Sequence, residues 1–119
     1  MNRPTWVWVP LAQVTAVVAL VASCRAEARE GLSPAQLVRG FACIHRGEGA
    51  WDANTGNGYY GGLQMDMDFQ RTYGREFLRA FGTADKWTPG MQIAVAIRAY
   101  VSGRGWRPWP NTARACGLL

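Results

Sequence analysis

A chain of 119 residues has room for one small domain, and 49% hydrophobic residues allow it a compact core, although a domain below about 90 residues has little stability to spare. Thirteen basic against eight acidic residues leave a net charge of +5, which suits an anionic partner such as a cell-wall polymer, a membrane surface or a nucleic acid. Three scattered cysteines and one histidine exclude a zinc cluster, and twelve arginines to one lysine read as the codon bias of a GC-rich genome.

The N-terminus reads as an export signal over residues 1–28: Arg3 supplies a weak positive start and Pro10 to Ala22 an apolar run. Pro10, Gln13 and Thr15 make that run a poor permanent span, which needs roughly 20 predominantly apolar residues. Two processing sites compete. Ala26-Glu27-Ala28 carries small residues where a signal peptidase cuts, whereas Val21-Ala22-Ser23-Cys24 resembles a lipoprotein box in which Cys24 would be lipidated. The product is expected to be secreted or associated with the cell wall, with any membrane contact made through the signal or that lipid.

Export leaves Cys43 and Cys116 as an even pair in an oxidising compartment. A bridge between them would close almost the whole domain into one loop; two buried free thiols are the alternative.

Residues 29–35 form a short linker into the domain, assigned to 36–119. Ser33-Pro34-Ala35-Gln36 is a helix start, with a Ser cap, Pro at the first turn and Gln where a capping box needs it. Leu37, Phe41 and Ile44 form a helical stripe, and four residues on stands Glu48, flanked by Gly47 and Gly49. That spacing points the acid along the core-facing side, where burial favours the neutral carboxyl that a general acid needs. His45 is read as a surface histidine without a role.

Trp51 follows, then Asn54-Thr-Gly-Asn-Gly58, in which Asn57-Gly58 predicts a hairpin turn. Tyr59 to Met65 reads as a short strand, interrupted at Gly61-Gly62 where a ligand or another backbone can come close. Alternation puts Leu63 and Met65 on one face and Gln64 and Asp66 on the other. Trp51, Asn57, Tyr60, Gln64 and Asp66 are therefore candidate substrate-binding residues, with one of the two tyrosines expected to be buried. An acid beside flat aromatic surfaces and exposed amides is what cleavage of a sugar chain requires.

Downstream, Asp68 is expected to cap a helix through Tyr73, and Arg75 to Phe81 forms another, ended by Gly82. Phe69, Phe77, Leu78 and Phe81 read as core and Glu76 as solvated. Thr88-Pro89 starts a central buried helix running to about Val101, with Met91, Ile93, Ala94, Ile97 and Tyr100 as its apolar positions. Trp106 and Trp109, in an irregular loop, either stack on sugar rings or plug the core.

Thr55-Gly-Asn-Gly-Tyr-Tyr-Gly-Gly-Leu-Gln64 resembles the signature of the resuscitation-promoting factor catalytic domain of actinobacteria, a member of the lysozyme and lytic-transglycosylase superfamily. The resemblance continues at Gln92-Ile-Ala-Val-Ala96, Gly105-Trp106 and Trp109-Pro110. It implies one catalytic Glu at the end of the first helix, cutting the glycan strand of peptidoglycan. In that family the acid directly follows a cysteine, and the second cysteine comes just after the Trp-Pro pair. Here Cys43 is followed by Ile44, and Thr112 occupies the second region, with Cys116 a helical turn later. The Cys-x-x-x-x-Glu spacing resembles a related branch of secreted transglycosylase-like domains, which carries the catalytic role to Glu48. Both cysteines have moved by about one turn, so the shifts are expected to compensate and the bridge to survive.

The expected fold is α+β, mostly α: a compact lysozyme-like domain with a short β-hairpin. The expected activity is a muramidase or lytic transglycosylase acting as a monomer without cofactor or metal, with Asp66 as the candidate second carboxylate and Asp52 exposed. Two rivals stand beside it. One is a non-catalytic glycan-binding or signalling module with the same groove. The other is a basic nucleic-acid binder, opposed by the export signal, the cysteine pair and the lack of any Lys/Arg run.

Overall fold

Ser33 opens the first helix as its sequence predicts. In the computed structural model, which describes residues 31–119, the Ser33 hydroxyl accepts from the Gln36 amide at 3.2 Å, and the Gln36 side chain accepts from the Ser33 amide at 2.8 Å. This capping box, with Pro34 in the first turn, starts α1 (Pro34–Glu48). The export segment, Cys24 and the first two linker residues, 29 and 30, lie outside the described residues. Among the described residues, no helix is long and apolar enough to cross a membrane.

The remaining helices are α2 (Met67–Tyr73), α3 (Arg75–Phe81), a 3-10 turn (Ala84–Lys86), α4 (Pro89–Ala99) running into a π turn (Tyr100–Arg104), and α5 (Pro110–Ala115). Asp66, rather than Asp68, caps α2: its Oδ1 accepts from the Phe69 amide at 2.7 Å, while Asp68 pairs with Arg71 in the first turn. The Thr88 hydroxyl caps α4 by accepting from the Met91 amide at 3.2 Å.

The central helix is α4, but its inner face is not the expected one. Gln92, Val95, Ala96 and Ala99 are buried, whereas Met91, Ile93 and Ile97 sit half-buried at the flanks and Ala94 is exposed. Small residues let neighbouring elements approach the middle of the helix, so the bulkier side chains are left to its shoulders. Phe81, expected in the core, is 54% exposed, because α3 ends at Gly82 and carries its last residue past the packed layer.

The largest departure is the expected strand. Among the described residues no strand forms; two isolated antiparallel bridges, Asn54 with Tyr60 and Tyr60 with Met65, stand in its place. The Tyr60 and Met65 backbones exchange hydrogen bonds at 3.0 and 2.9 Å around a turn, closed inside by the Gln64 amide on the Gly61 carbonyl at 3.2 Å. The alternation nevertheless points each side chain as expected: Leu63 and Met65 are buried, Gln64 half-buried and Asp66 exposed. Around them pack Phe41, Ile44, Val95 and both loop tryptophans.

Candidate active site

Glu48 is the last residue of α1 and is half-buried. Its Oε1 accepts a hydrogen bond from the Thr112 hydroxyl on α5 at 2.7 Å. The two helices come this close because Gly47 has no side chain: a Cβ there would stand 2.8 Å from Thr112 Cγ2. One turn back in α1 and one turn on in α5, Cys43 and Cys116 are joined by a disulfide with Cα atoms 6.1 Å apart. The ends of α1 and α5 are thus clamped at two levels, with the carboxyl at the open one.

The loop after Glu48 is held by buried glutamine. Gln92 Oε1 accepts from the Gly62 amide at 2.8 Å, and its Nε2 donates to the carbonyls of Trp51 and Trp87 at 2.8 and 3.1 Å. Gln70 does the same beneath α2, accepting from the Ala84 amide at 2.8 Å and donating to the Met65 carbonyl at 3.0 Å. Buried backbone groups without strand partners need such side chains. The composition of the helical stripes hides both residues, since a glutamine in a helix reads as solvent-facing.

Gly61 and Gly62 leave room for protein, not for a ligand. A Cβ on Gly61 would run into Gln92 Oε1, and one on Gly62 would meet both His45 Nδ1 and Trp51 Cε3 at 2.5 Å. His45 is correspondingly no surface residue. It is half-buried and stacked on Trp51 with ring centroids 3.7 Å apart, and its Nδ1 lies 3.2 Å from the Gly62 carbonyl. A carbonyl only accepts, so that nitrogen carries the proton.

Beside this loop runs a groove of about 350 Å³, walled by Tyr59, Gln64, Asp66, Tyr73, Arg104 and Trp109 among others. Gln64 and Asp66 both line it. Of the tyrosine pair, Tyr59 lines it and is 49% exposed, while Tyr60, the one singled out from the sequence, packs half-buried against the core. Asn57 is exposed at the loop tip, where its Oδ1 accepts from the Tyr59 amide at 3.0 Å.

The tryptophans resolve toward packing. Trp106 is 6% exposed, wedged between Phe41 and Tyr100 and over Gly40, so its faces are taken. Trp109 is 4% exposed, with its indole N–H on the Leu63 carbonyl at 2.7 Å; it forms part of the groove floor. Trp51 gives one face to His45.

Glu48 is not part of that groove lining. The connection is Gln64, the one non-glycine residue with positive φ (49°) among those described, a conformation that ordinary side chains adopt at a cost of about 1–2 kcal/mol. Its Nε2 donates to the Gly61 carbonyl at 2.9 Å and would lie 3.4 Å from a Cβ on Gly49, the residue after Glu48. At the far end, Tyr73 and Arg104 were not foreseen as site residues. The Arg104 guanidinium lies 5.5 Å from the Phe69 ring centroid and 5.9 Å from that of Tyr73. The Tyr73 phenol is held below its ordinary pKa, first by its hydrogen bond with Ser102, against a lesser opposing effect of burial, with Arg104 adding to the lowering.

These elements define a small helical domain built around one helix-end carboxyl and a tyrosine-glycine loop. The chain belongs to the transglycosylase-like domain family, whose profile matches residues 43–112. It is similar to resuscitation-promoting factor Rpf1 of Corynebacterium glutamicum, 41% identical over 70 residues that make up 59% of this chain and 35% of that protein. Similarity extends to RpfB of Mycolicibacterium smegmatis, 44% identical over 63 residues (52% of this chain, 16% of that one). RpfC of Mycobacterium tuberculosis is 39% identical over 70 residues, 59% of this chain and 46% of the relative. The chain therefore spans less than half the length of each of these relatives.

Proposed function

We propose that this domain is a peptidoglycan glycosidase in which Glu48 is the general acid. The observation that carries the reading is the Glu48 carboxyl itself: half-buried at the end of α1, with one oxygen held by Thr112 and the other left for chemistry. Glu48 protonates the oxygen bridging two sugars as the bond breaks and positive charge develops on the ring. Tyr59 offers an exposed aromatic face for a sugar ring, and the Gln64 amide and Asp66 carboxylate offer hydrogen bonds to hydroxyl and N-acetyl groups. Attack by water leaves a reducing sugar; attack by an internal hydroxyl leaves an anhydro sugar. Family membership and the resuscitation-promoting relatives support peptidoglycan as the substrate. The Cys43–Cys116 bridge supports work outside the cytoplasm, where disulfides persist.

Mass analysis of muropeptides released from purified peptidoglycan by the wild type and by Glu48→Gln tests this. Release is expected from the wild type and a loss of about 10²–10⁴-fold from the variant, and the product masses separate the anhydro from the reducing end. Undiminished release by Glu48→Gln would refute the assignment. A non-catalytic glycan-binding module is the second reading, favoured by the absence of Glu48 from the groove lining; binding without release by both proteins would establish it.

A further inference from the structure

We infer that Thr112 is a positioning residue for Glu48: its hydroxyl holds Oε1, so that Oε2 is the oxygen that carries and delivers the proton. The inference rests on the reading of Glu48 as the general acid.

The hydroxyl has one good acceptor. Glu48 Oε1 lies at 2.7 Å, whereas the alternative, the Trp109 carbonyl, lies at 3.4 Å and already accepts from the Ala113 amide at 2.8 Å. The methyl group fixes the choice. Thr112 Cγ2 sits against Gly47 where any side chain would collide, and a β-branched residue has few χ1 positions. With the methyl lodged there, the hydroxyl faces Glu48. The helix that carries it is itself held: Ala113 is buried, the Trp109 indole donates to the Leu63 carbonyl, and the disulfide ties Cys116 to α1.

A protonated carboxyl has one oxygen bearing the proton and one that accepts. Because Thr112 donates to Oε1, the proton resides on Oε2 and leaves from there to the bridging sugar oxygen. The carboxylate that remains still accepts from Thr112, which keeps its own proton throughout. Without that contact the carboxyl, at a helix end followed by glycine, would rotate, and productive orientations would become rarer in the bound complex.

The test is steady-state kinetics of the full chain on soluble glycan strands. Thr112→Val keeps the methyl packing and removes the hydroxyl; kcat is expected to fall about ten-fold with KM unchanged. Thr112→Ser restores the hydroxyl and is expected to recover kcat to within about three-fold of wild type, while Thr112→Ala is not. The Ser and Ala variants, compared at a temperature where both are folded, decide the matter even if the Val variant melts early. Wild-type kcat in Thr112→Val, or equal losses in Ser and Ala, would overturn the inference. Glu48→Gln in the same assay separates the two failures: if it also turns over normally, the reading of Glu48 is wrong. If it is inactive while Thr112→Val is normal, only the role of Thr112 falls.

Discussion

Gly47 and Thr112 lie in contact at the ends of α1 and α5, so closely that a Cβ on Gly47 would stand 2.8 Å from the threonine methyl. In an exposed helix, replacing glycine by alanine stabilises by about 1 kcal/mol. Here the added methyl must push Thr112 aside. Gly47→Ala is therefore expected to leave the thermal midpoint near or slightly above wild type while lowering kcat several-fold, although Glu48 and Thr112 both remain. Melting curves and kinetics on the same sample check it; unchanged turnover would mean that the contact is slack.

Gln92 joins three backbone groups that have no strand to pair with. Gln92→Leu conserves size but leaves the Gly62 amide and two carbonyls buried without partners. The expected cost is about 3 kcal/mol, a fall in Tm on the order of 15 °C for a domain of this size. Chemical denaturation of wild type and variant would measure it directly.

The disulfide closes a separation of 73 residues, for which the chain-entropy account gives at most about 4.5 kcal/mol. The Cys43→Ala/Cys116→Ala double variant should lose stability on that scale and lose turnover with it, since α5 carries Thr112 to Glu48. Intact mass after alkylation without reductant is expected to find neither cysteine modified. Two alkylated thiols at these positions would show the bridge absent.

Glu76 gives the fold a pH dependence of known sign. Its own backbone amide, and then Arg98, hold its carboxyl below the ordinary value of 4.5. A depressed folded pKa means that the unfolded chain binds more protons in the window below that value. The contribution of Glu76 is thus present above about pH 4.5 and lost as pH falls through the folded pKa. Glu76→Gln should show a shallower loss of stability with acid than wild type; parallel curves would mean that neither the backbone amide nor the ion pair with Arg98 favours the carboxylate.

The displaced cysteines show how much of the site could be read ahead of the fold. Resemblance places the bridge beside the acid, at about positions 47 and 112; the chain has Gly47 and Thr112 there and cysteines one turn away on each helix. Equal shifts along two facing helices keep two residues opposite each other, so the resemblance and the cysteine spacing together made the Cys43–Cys116 bridge an expectation, with two free thiols as the alternative. The consequence for position 112, a hydroxyl delivered to Glu48, was not, because it depends on how near the helices approach. The aromatic residues were legible only as a group. Nothing local to Tyr59-Tyr60 distinguishes the one that enters the groove, since the turn around Gly61–Gln64 decides it. Nor does loop composition tell whether Trp106 meets a sugar or Phe41.

Capping chemistry, settled within three or four residues, was sufficient to start α1 and α4, and the helical stripe was sufficient to carry Glu48 to the end of α1. Long-range contacts decided the rest. Two buried glutamines replace a strand, Gly61 admits Gln92 and Gly62 admits His45 and Trp51 in place of a ligand, and Gln64 takes a backbone conformation that its residue type disfavours. The glutamines and the glycine pair depend on partners far along the chain, where satisfying buried polar groups and filling space outweigh local preference.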